Sequence, residues 1–287
     1  MQQGPGFYRR VIGDSVVTAL SDGWLDGSTD IVIGIDQAEK EAVMARNFRQ
    51  AGPLRLALNG FVISQGGRTA LVDAGGGPNF NPGTGKLAAN LAAAGHAPES
   101  IDTILITHLH PDHVLGLLDD KGAARFPNAT LKVHAKEHAH WHNDAAKAAT
   151  PAHFQGFFDV ARNVVAAYAP RVELVDDNEV FPGVVAVPLP GHTPGHTGYR
   201  VAGEQGLLIW GDIFHIPELQ LRHPDTSIMF DVLPDLAKET RIATLKTVSA
   251  GRQLVAGMHL HFPTFSHVRE ESAGYALVPE MWVAEVA

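Results

Sequence analysis

Residues 107–113 read T-H-L-H-P-D-H, directly after the strand-like run I-D-T-I-L-I at 101–106. Three histidines and one carboxylate at His108, His110, Asp112 and His113 are dense for a solvated loop, and an apolar core has no use for them. Pro111 excludes a regular helix through the cluster, so the side chains are not forced apart around a helical surface. In a tight turn, His108 and His110 can reach one cation while Asp112 and His113 reach its neighbour. Imidazole and carboxylate without thiolate suit zinc first, and manganese, iron or cobalt also fit. The plain alternative is a capped strand end with solvated histidines.

Partners downstream argue against that alternative. His192, Asp212 and His259 each follow a strand-like run, and Asp73 ends another (A-L-V-D). Loops at strand ends are where layered α/β folds build sites. With these three, the cluster holds five imidazoles and two carboxylates. That is about what two cations roughly 3.5–4 Å apart require, with one carboxylate as a bridge.

Composition narrows the rest. The chain has 287 residues, 45% of them hydrophobic, which suits one domain (1–287) with a sizeable core. A net charge of −9 disfavours nucleic acid and anionic membranes as partners. No cysteine is present, which removes thiolate ligands, disulfides and a thiol nucleophile. No apolar run approaches the roughly 20 residues of a membrane span. The first ten residues hold no apolar stretch of a secretory leader. The compartment stays open: cytoplasmic as written, periplasmic or secreted if a leader was trimmed.

Periodicity places the remaining elements. Residues 11–23 read as a hairpin with a D-G turn, and Gln37 to Phe48 as a helix. Residues 61–73 read as two strands about Gly66-Gly67, and Gly85 to Gly95 as a helix stopped by its last glycine. Further helices are expected at Lys136 to Ala149, Gln155 to Tyr168 and Pro234 to Ser249, with strands at Ala129 to Val133 and Gln253 to Gly257. His134, His138 and His142 recur every four residues and read as a solvated helix face beside Lys136 and Glu137. His196 reads as a loop-fixing histidine, and His261 and His267 as surface groups or supports to the ligands. The glycine run A-G-G-G-P lacks the G-x-G-x-x-G and P-loop patterns, so a phosphate cradle is not expected.

The combination resembles a known family. H-L-H-P-D-H is similar to the H-x-H-x-D-H signature of the metallo-β-lactamase superfamily, and G-H-T-P-G-H-T, W-G-D and M-H-L-H-F-P follow in its order and approximate spacing. The resemblance covers nearly the whole chain and implies an α/β fold, a four-layer αββα sandwich with a dinuclear metal site. It implies His108, His110 and His192 on one metal, Asp112, His113 and His259 on the other, and Asp212 as the bridge. Asp73 matches the supporting aspartate, although the usual D-T-G reads D-A-G here.

Segments G-F-Y-R, K-L-A-A-N-L-A-A-A-G, F-P-N-A, G-D-I-F-H and residues 261–279 resemble the methyl parathion hydrolase branch, which includes organophosphorus hydrolases, lactonases and aryl esterases. That resemblance implies a homodimer and a pocket walled by Phe80, Trp141 and Phe157. The N-terminal region, with no other evident purpose, is the expected dimer contact, and light scattering decides that point. His215 stands where many members carry an apolar pocket residue.

The expected activity is hydrolysis of small neutral lactones or carboxylic (aryl) esters, with phosphotriesters secondary. Two metals acidify a water, Asp112 relays its proton, and Asp212 and His215 complete the catalytic set. No G-x-S-x-G elbow is present. The alternatives are a primary organophosphorus hydrolase, a β-lactamase or glyoxalase-II-like thioesterase, and a metal-binding protein without turnover. Nitrocefin, S-lactoylglutathione and a panel of esters separate them.

Overall fold

The computed structural model describes residues 3–50 and 52–286. Met1 and Gln2 of the leader reading, together with Ala51 and Ala287, lie outside these described residues.

The first half of the chain runs β1 (Phe7–Ile12), β2 (Ser15–Gly27), β3 (Val32–Ile33), α1 (Gln37–Arg46), β4 (Leu54–Gln65), β5 (Arg68–Val72), α2 (Leu87–Ala93), β6 (Thr103–Leu105) and α3 (Pro111–Val114). It continues with β7 (Thr130–His134), α4 (Ala135–Trp141), α5 (Asp144–Ala149), α6 (Gly156–Ala167) and β8 (Val172–Val175). The second half runs β9 (Glu179–Phe181), β10 (Val184–Pro188), β11 (Thr197–Val201), β12 (Leu207–Ile209), α7 (Pro217–Arg222) and β13 (Ser227–Ile228). Helix α8 (Pro234–Ala250), β14 (Leu254–Ala256), β15 (Ser266–Glu270) and β16 (Tyr275–Pro279) complete it.

Two seven-stranded sheets result, ordered β1-β2-β4-β5-β6-β7-β8 and β16-β15-β14-β12-β11-β10-β9. Period-two alternation sorts their side chains. Val17, Phe61, Ile63, Val72 and Leu105 point inward to meet Val184, Tyr199, Val201, Ile209 and Ala256 of the other sheet. Their chain neighbours face outward. Leu71 and Ile104 pack with Leu91 of α2 and Phe158 and Val164 of α6, while Leu208, Trp210 and Val255 pack under Leu245 and Val248 of α8. Helix, sheet, sheet and helix therefore form four layers, the expected αββα sandwich.

The parallel pairs β5–β6 and β12–β14 set the site. Their C-terminal ends deliver Asp73, His108, Asp212 and His259 to a shared region, as the sequence implied. The Gly66-Gly67 turn, with φ of 58° and 78°, joins β4 to β5 in the conformation that two-residue hairpins favour.

Several local expectations need correction. The hairpin turn is Gly13-Asp14; Asp22-Gly23 is a register shift inside β2, which runs on to Gly27. The helix expected over 136–149 is two helices, parted where the Asn143 side chain accepts the N–H groups of Ala145 and Ala146 and starts α5 afresh. Pro111 does not exclude helix; it begins one, at the first-turn position where its missing N–H costs nothing. His108 and His110 thus precede a short turn that carries Asp112 and His113. The N-terminal segment also has an intramolecular use, since β1 forms one edge of the first sheet. Its lack of other purpose no longer argues for a dimer contact. Among the described residues no helix is long and apolar enough to cross a membrane.

A pH-dependent prediction arises at the β5–β6 join. Asp102 accepts the Thr69 N–H at 2.7 Å and pairs with Arg68 at 3.0 Å. Burial pushes its carboxyl up, but Thr103, Thr69 and Arg68 outweigh that and hold it below the ordinary 3.8. A depressed carboxyl contributes stability above the unfolded value and loses it as pH falls through the folded one. The group is 38% exposed, so screening keeps the effect small. Asp102→Asn should cost about 1 kcal/mol or less at pH 7 in metal-free protein, and the gap should shrink only below about pH 4. Denaturant titrations at a series of pH values check this; a gap that widens on acidification contradicts it.

Candidate metal centre

All seven expected ligands meet. Asp212 Oδ2 lies 3.0 Å from His215 Nε2, 3.2 Å from both His113 Nε2 and His259 Nε2, 3.4 Å from His192 Nε2 and 3.7 Å from His108 Nε2. Asp112 Oδ2 is 3.5 Å from His259 Nε2 and 3.6 Å from His113 Nε2, and His110 Nδ1 is 2.9 Å from His192 Nε2. Donor atoms of His108, His110 and His192 lie within 4.8 Å of one another, as do those of Asp112, His113 and His259. The same holds for His108, His113 and Asp212, and for His192, Asp212 and His215.

The outward hydrogen bonds decide what these nitrogens can do. His113 Nδ1–H donates to Asp73 Oδ2 at 2.7 Å, His192 Nδ1–H to Asp231 Oδ1 at 2.9 Å and His259 Nδ1–H to the Ala57 carbonyl at 2.9 Å. Thr107 gives its only hydroxyl proton to Asp73, so its oxygen accepts from His108 Nδ1–H at 3.0 Å. Each outer nitrogen thereby carries a proton, which leaves Nε2 as the nitrogen each ring can offer inward once it is neutral. Lone pairs converging on a carboxylate repel unless positive charge stands among them. His108 Nε2, His113 Nε2 and Asp212 Oδ1 are accordingly buried without a hydrogen-bond partner.

Titration follows the same logic. Burial drives His108, His110 and His192 well below the usual histidine range, so they are neutral imidazoles. Burial also presses on His113, but Asp212 and Asp112 outweigh it and hold it well above. Burial alone would raise Asp212; His113, His259, His215 and His108 overcome it and keep it well below the carboxylate range. Against burial, Asp212 likewise holds His259 above the usual range, so second protons at Nε2 of His113 and His259 supply positive charge that divalent cations would replace. Divalent cations suit the whole set.

The Metallo-beta-lactamase superfamily profile matches residues 55–259, most of the chain. The chain belongs to the metallo-β-lactamase superfamily. A crystal structure titled hydrolase AbOPH in beta lactamase superfamily is 31% identical, with TM-score 0.93 over 98% of this chain and 100% of that one. AidC, titled a dizinc quorum-quenching lactonase in complex with a product N-hexanoyl-L-homoserine, has TM-score 0.91 over 97% of this chain and 98% of its own, at 24% identity, a likeness of fold. The uncharacterized protein YobT of Bacillus subtilis (strain 168) is 25% identical over 174 residues; the match spans 57% of this chain and 65% of YobT.

Within this metallo-β-lactamase centre the supporting groups are distinct. Asp73 is fully buried and accepts Thr107 N–H at 2.9 Å as well as the Thr107 hydroxyl and His113. His196 fixes its loop: Nδ1–H donates to the Leu189 carbonyl at 2.7 Å and Nε2 accepts the Asp212 N–H at 2.9 Å. Gly211 of W-G-D has φ of 59°, and a Cβ there would meet His196 Nε2 at 2.3 Å, so only glycine admits this contact.

A cavity of about 410 Å³ adjoins His110 and is lined by Trp141, Phe154, Phe157, Phe158 and Phe230 among others. The Trp141 and Phe157 rings stand 5.4 and 5.5 Å from the His110 ring. A cavity of about 470 Å³ between α1 and α7 has none of the seven cluster residues in its lining. Phe80 does not line the aromatic cavity: it folds back against Gly76 in the turn after A-G-G-G-P and is 38% exposed. His215 is buried and stacks on His259 at 4.7 Å; burial lowers its pKa, so the neutral imidazole is the form present at pH 7.

Sequence reasoning missed Asp231, which orients His192, and placed Glu137 on a solvated face although it is 1% exposed. Of that histidine series, His134 accepts the Lys136 N–H at the start of α4, and His138 and His142 stack at 3.9 Å. His261 and His267, expected as surface groups or supports to the ligands, pair with Glu218 at 2.9 Å and Glu280 at 3.2 Å.

Proposed function

We propose that this protein is a dinuclear metal hydrolase, zinc-loaded, that opens lactones or cleaves carboxylic (aryl) esters, with phosphotriester hydrolysis secondary. The observation that carries the reading is the convergence of imidazole and carboxylate donors on Asp212 beside an aromatic cavity. In it, His108, His110 and His192 would hold one cation and Asp112, His113 and His259 the other, with Asp212 placed to serve both. A bound pair of divalent cations supplies Lewis acidity and acidifies water enough to attack an acyl carbon at neutral pH.

The chain's own groups do the rest. Trp141, Phe157 and the neighbouring rings take the apolar part of the substrate, where buried aromatic faces contribute most. His110 borders both that cavity and the donor cluster, so a substrate seated there presents its carbonyl to the centre. Asp112 has 16% side-chain exposure against 2% for Asp212, so Asp112 is the carboxylate able to accept the attacking water's proton and pass it on. The negative chain favours neutral substrates over phosphomonoesters and nucleotides. The fold shared with AidC, a lactonase bound to the product N-hexanoyl-L-homoserine, supports a lactone carrying an apolar acyl tail.

His215 offers an imidazole to the departing oxygen. An alkoxide leaving a lactone needs such stabilisation more than an acidic nitrophenol does. His215→Leu should therefore lower lactone kcat/KM by about tenfold or more, and nitrophenyl phosphotriester kcat/KM by less. Equal losses on both substrates contradict this role. A triester kcat/KM above that of every lactone tested would make the protein a primary organophosphorus hydrolase instead.

A further inference from the structure

Glu137 of α4 is a buried carboxylate with no ion-pair partner among the described residues, and its whole acceptor capacity is used. Oε1 accepts the Leu109 N–H at 2.9 Å and the Trp141 indole N–H at 2.6 Å; Oε2 accepts the Thr193 hydroxyl at 2.6 Å and the Gly195 N–H at 3.1 Å. The positions of those donors are informative. Leu109 lies between His108 and His110, and Thr193 follows His192. Gly195 precedes His196, which holds the Asp212 backbone, and Trp141 lines the cavity.

The fit is close on the backbone side as well. A Cβ on Gly195 would meet the Glu137 nitrogen at 2.1 Å, so the G-H-T-P-G-H loop lies directly against α4. A buried ion without a counter-ion is a costly way to hold two loops together unless its acceptor geometry is itself required. A carboxylate provides two oxygens, each able to accept two donors, at a fixed separation. Neither an amide nor an apolar side chain can do that for four donors.

We propose that Glu137 is a positioning residue that sets the separation of the two ligand loops and fixes the Trp141 ring, coupling metal affinity to the shape of the aromatic cavity. The inference rests on the reading of His108, His110 and His192 as ligands of one cation. Supporting groups of this kind alter metal affinity or activity by about 10–100-fold when changed.

The test uses the full chain as wild type, Glu137→Gln and Thr193→Val. Zinc affinity is measured by competition with a chromophoric chelator, well below each variant's melting temperature in the chelated state. Glu137→Gln turns an amide N–H₂ toward two donors and should weaken zinc binding by about 10–100-fold. At saturating zinc it should raise KM for a lactone with a hexanoyl tail more than for one without a tail, because Trp141 loses its anchor. Thr193→Val removes one donor at nearly constant volume and should weaken zinc binding by about threefold to tenfold. It carries the test alone if Glu137→Gln does not fold.

A residue serving the fold only would lower the melting temperature and leave zinc affinity and the tail preference untouched, and that result overturns the proposal. Wild type that takes up no zinc overturns the ligand reading and this inference with it. Wild type that takes up zinc, with variants that match it, overturns this inference alone.

Discussion

Asp212→Ala should fold, lose tight metal binding and hydrolyse esters at least about a thousandfold more slowly than wild type. Five imidazole nitrogens lie within 3.0–3.7 Å of one oxygen of this carboxylate. Removing it leaves those donors, and any cations they hold, without the negative charge between them. A thousandfold corresponds to about 4 kcal/mol of transition-state stabilisation, a modest demand on a bridging ligand. Measurement of kcat/KM with saturating metal, together with metal content per chain, checks it. A variant that keeps more than about a tenth of wild-type activity contradicts Asp212 as the bridge.

The second large effect is expected at a residue outside the ligand set. Asp73 receives the Thr107 N–H, the Thr107 hydroxyl and His113 Nδ1–H, and through the Thr107 oxygen it also orients His108. Asp73→Asn supplies one acceptor oxygen where two are used, and its amide N–H₂ faces a donor. His113 then loses the bond that keeps its proton on Nδ1 and its lone pair inward. Metal affinity should fall by about 10–100-fold, with activity partly recovered at high metal concentration. Chelator competition gives the affinity; an unchanged value would mean that Asp73 serves the fold and not the centre.

The difference between these two residues explains what was legible in the sequence. The proposed ligands advertise themselves because their chemistry is rare at strand ends: His108, Asp212 and His259 follow apolar runs closely. The layers were legible only through the resemblance: A-L-V and I-L-I are apolar on both faces, and the folded sheets show Val72 and Leu105 on one side and Leu71 and Ile104 on the other. Supports are silent. Asp231 lies 39 residues from the histidine it orients, in a stretch with no periodic signal. Glu137 sits among polar residues of α4, and nothing short of the folded loops shows that four donors meet it. Phe80 stands apart from Trp141 and Phe157, which line the aromatic cavity. A resemblance placed it in the pocket wall, but the glycine run before it lets the turn fold the ring back onto Gly76. Local turn chemistry also ran beneath the pattern: Asp22-Gly23 has the composition of a hairpin turn, and strand pairing with β4 absorbs it as a bulge.

As proposed, the protein works with two cations held by seven side chains, Asp212 shared between them. The most direct measurement is elemental analysis of purified protein, run beside lactone or ester turnover, through chelation and stepwise readdition of zinc. Two metals per chain at full activity, with turnover lost on chelation and restored as the second equivalent binds, is the predicted result. Full activity with one metal per chain, or with none, would contradict it.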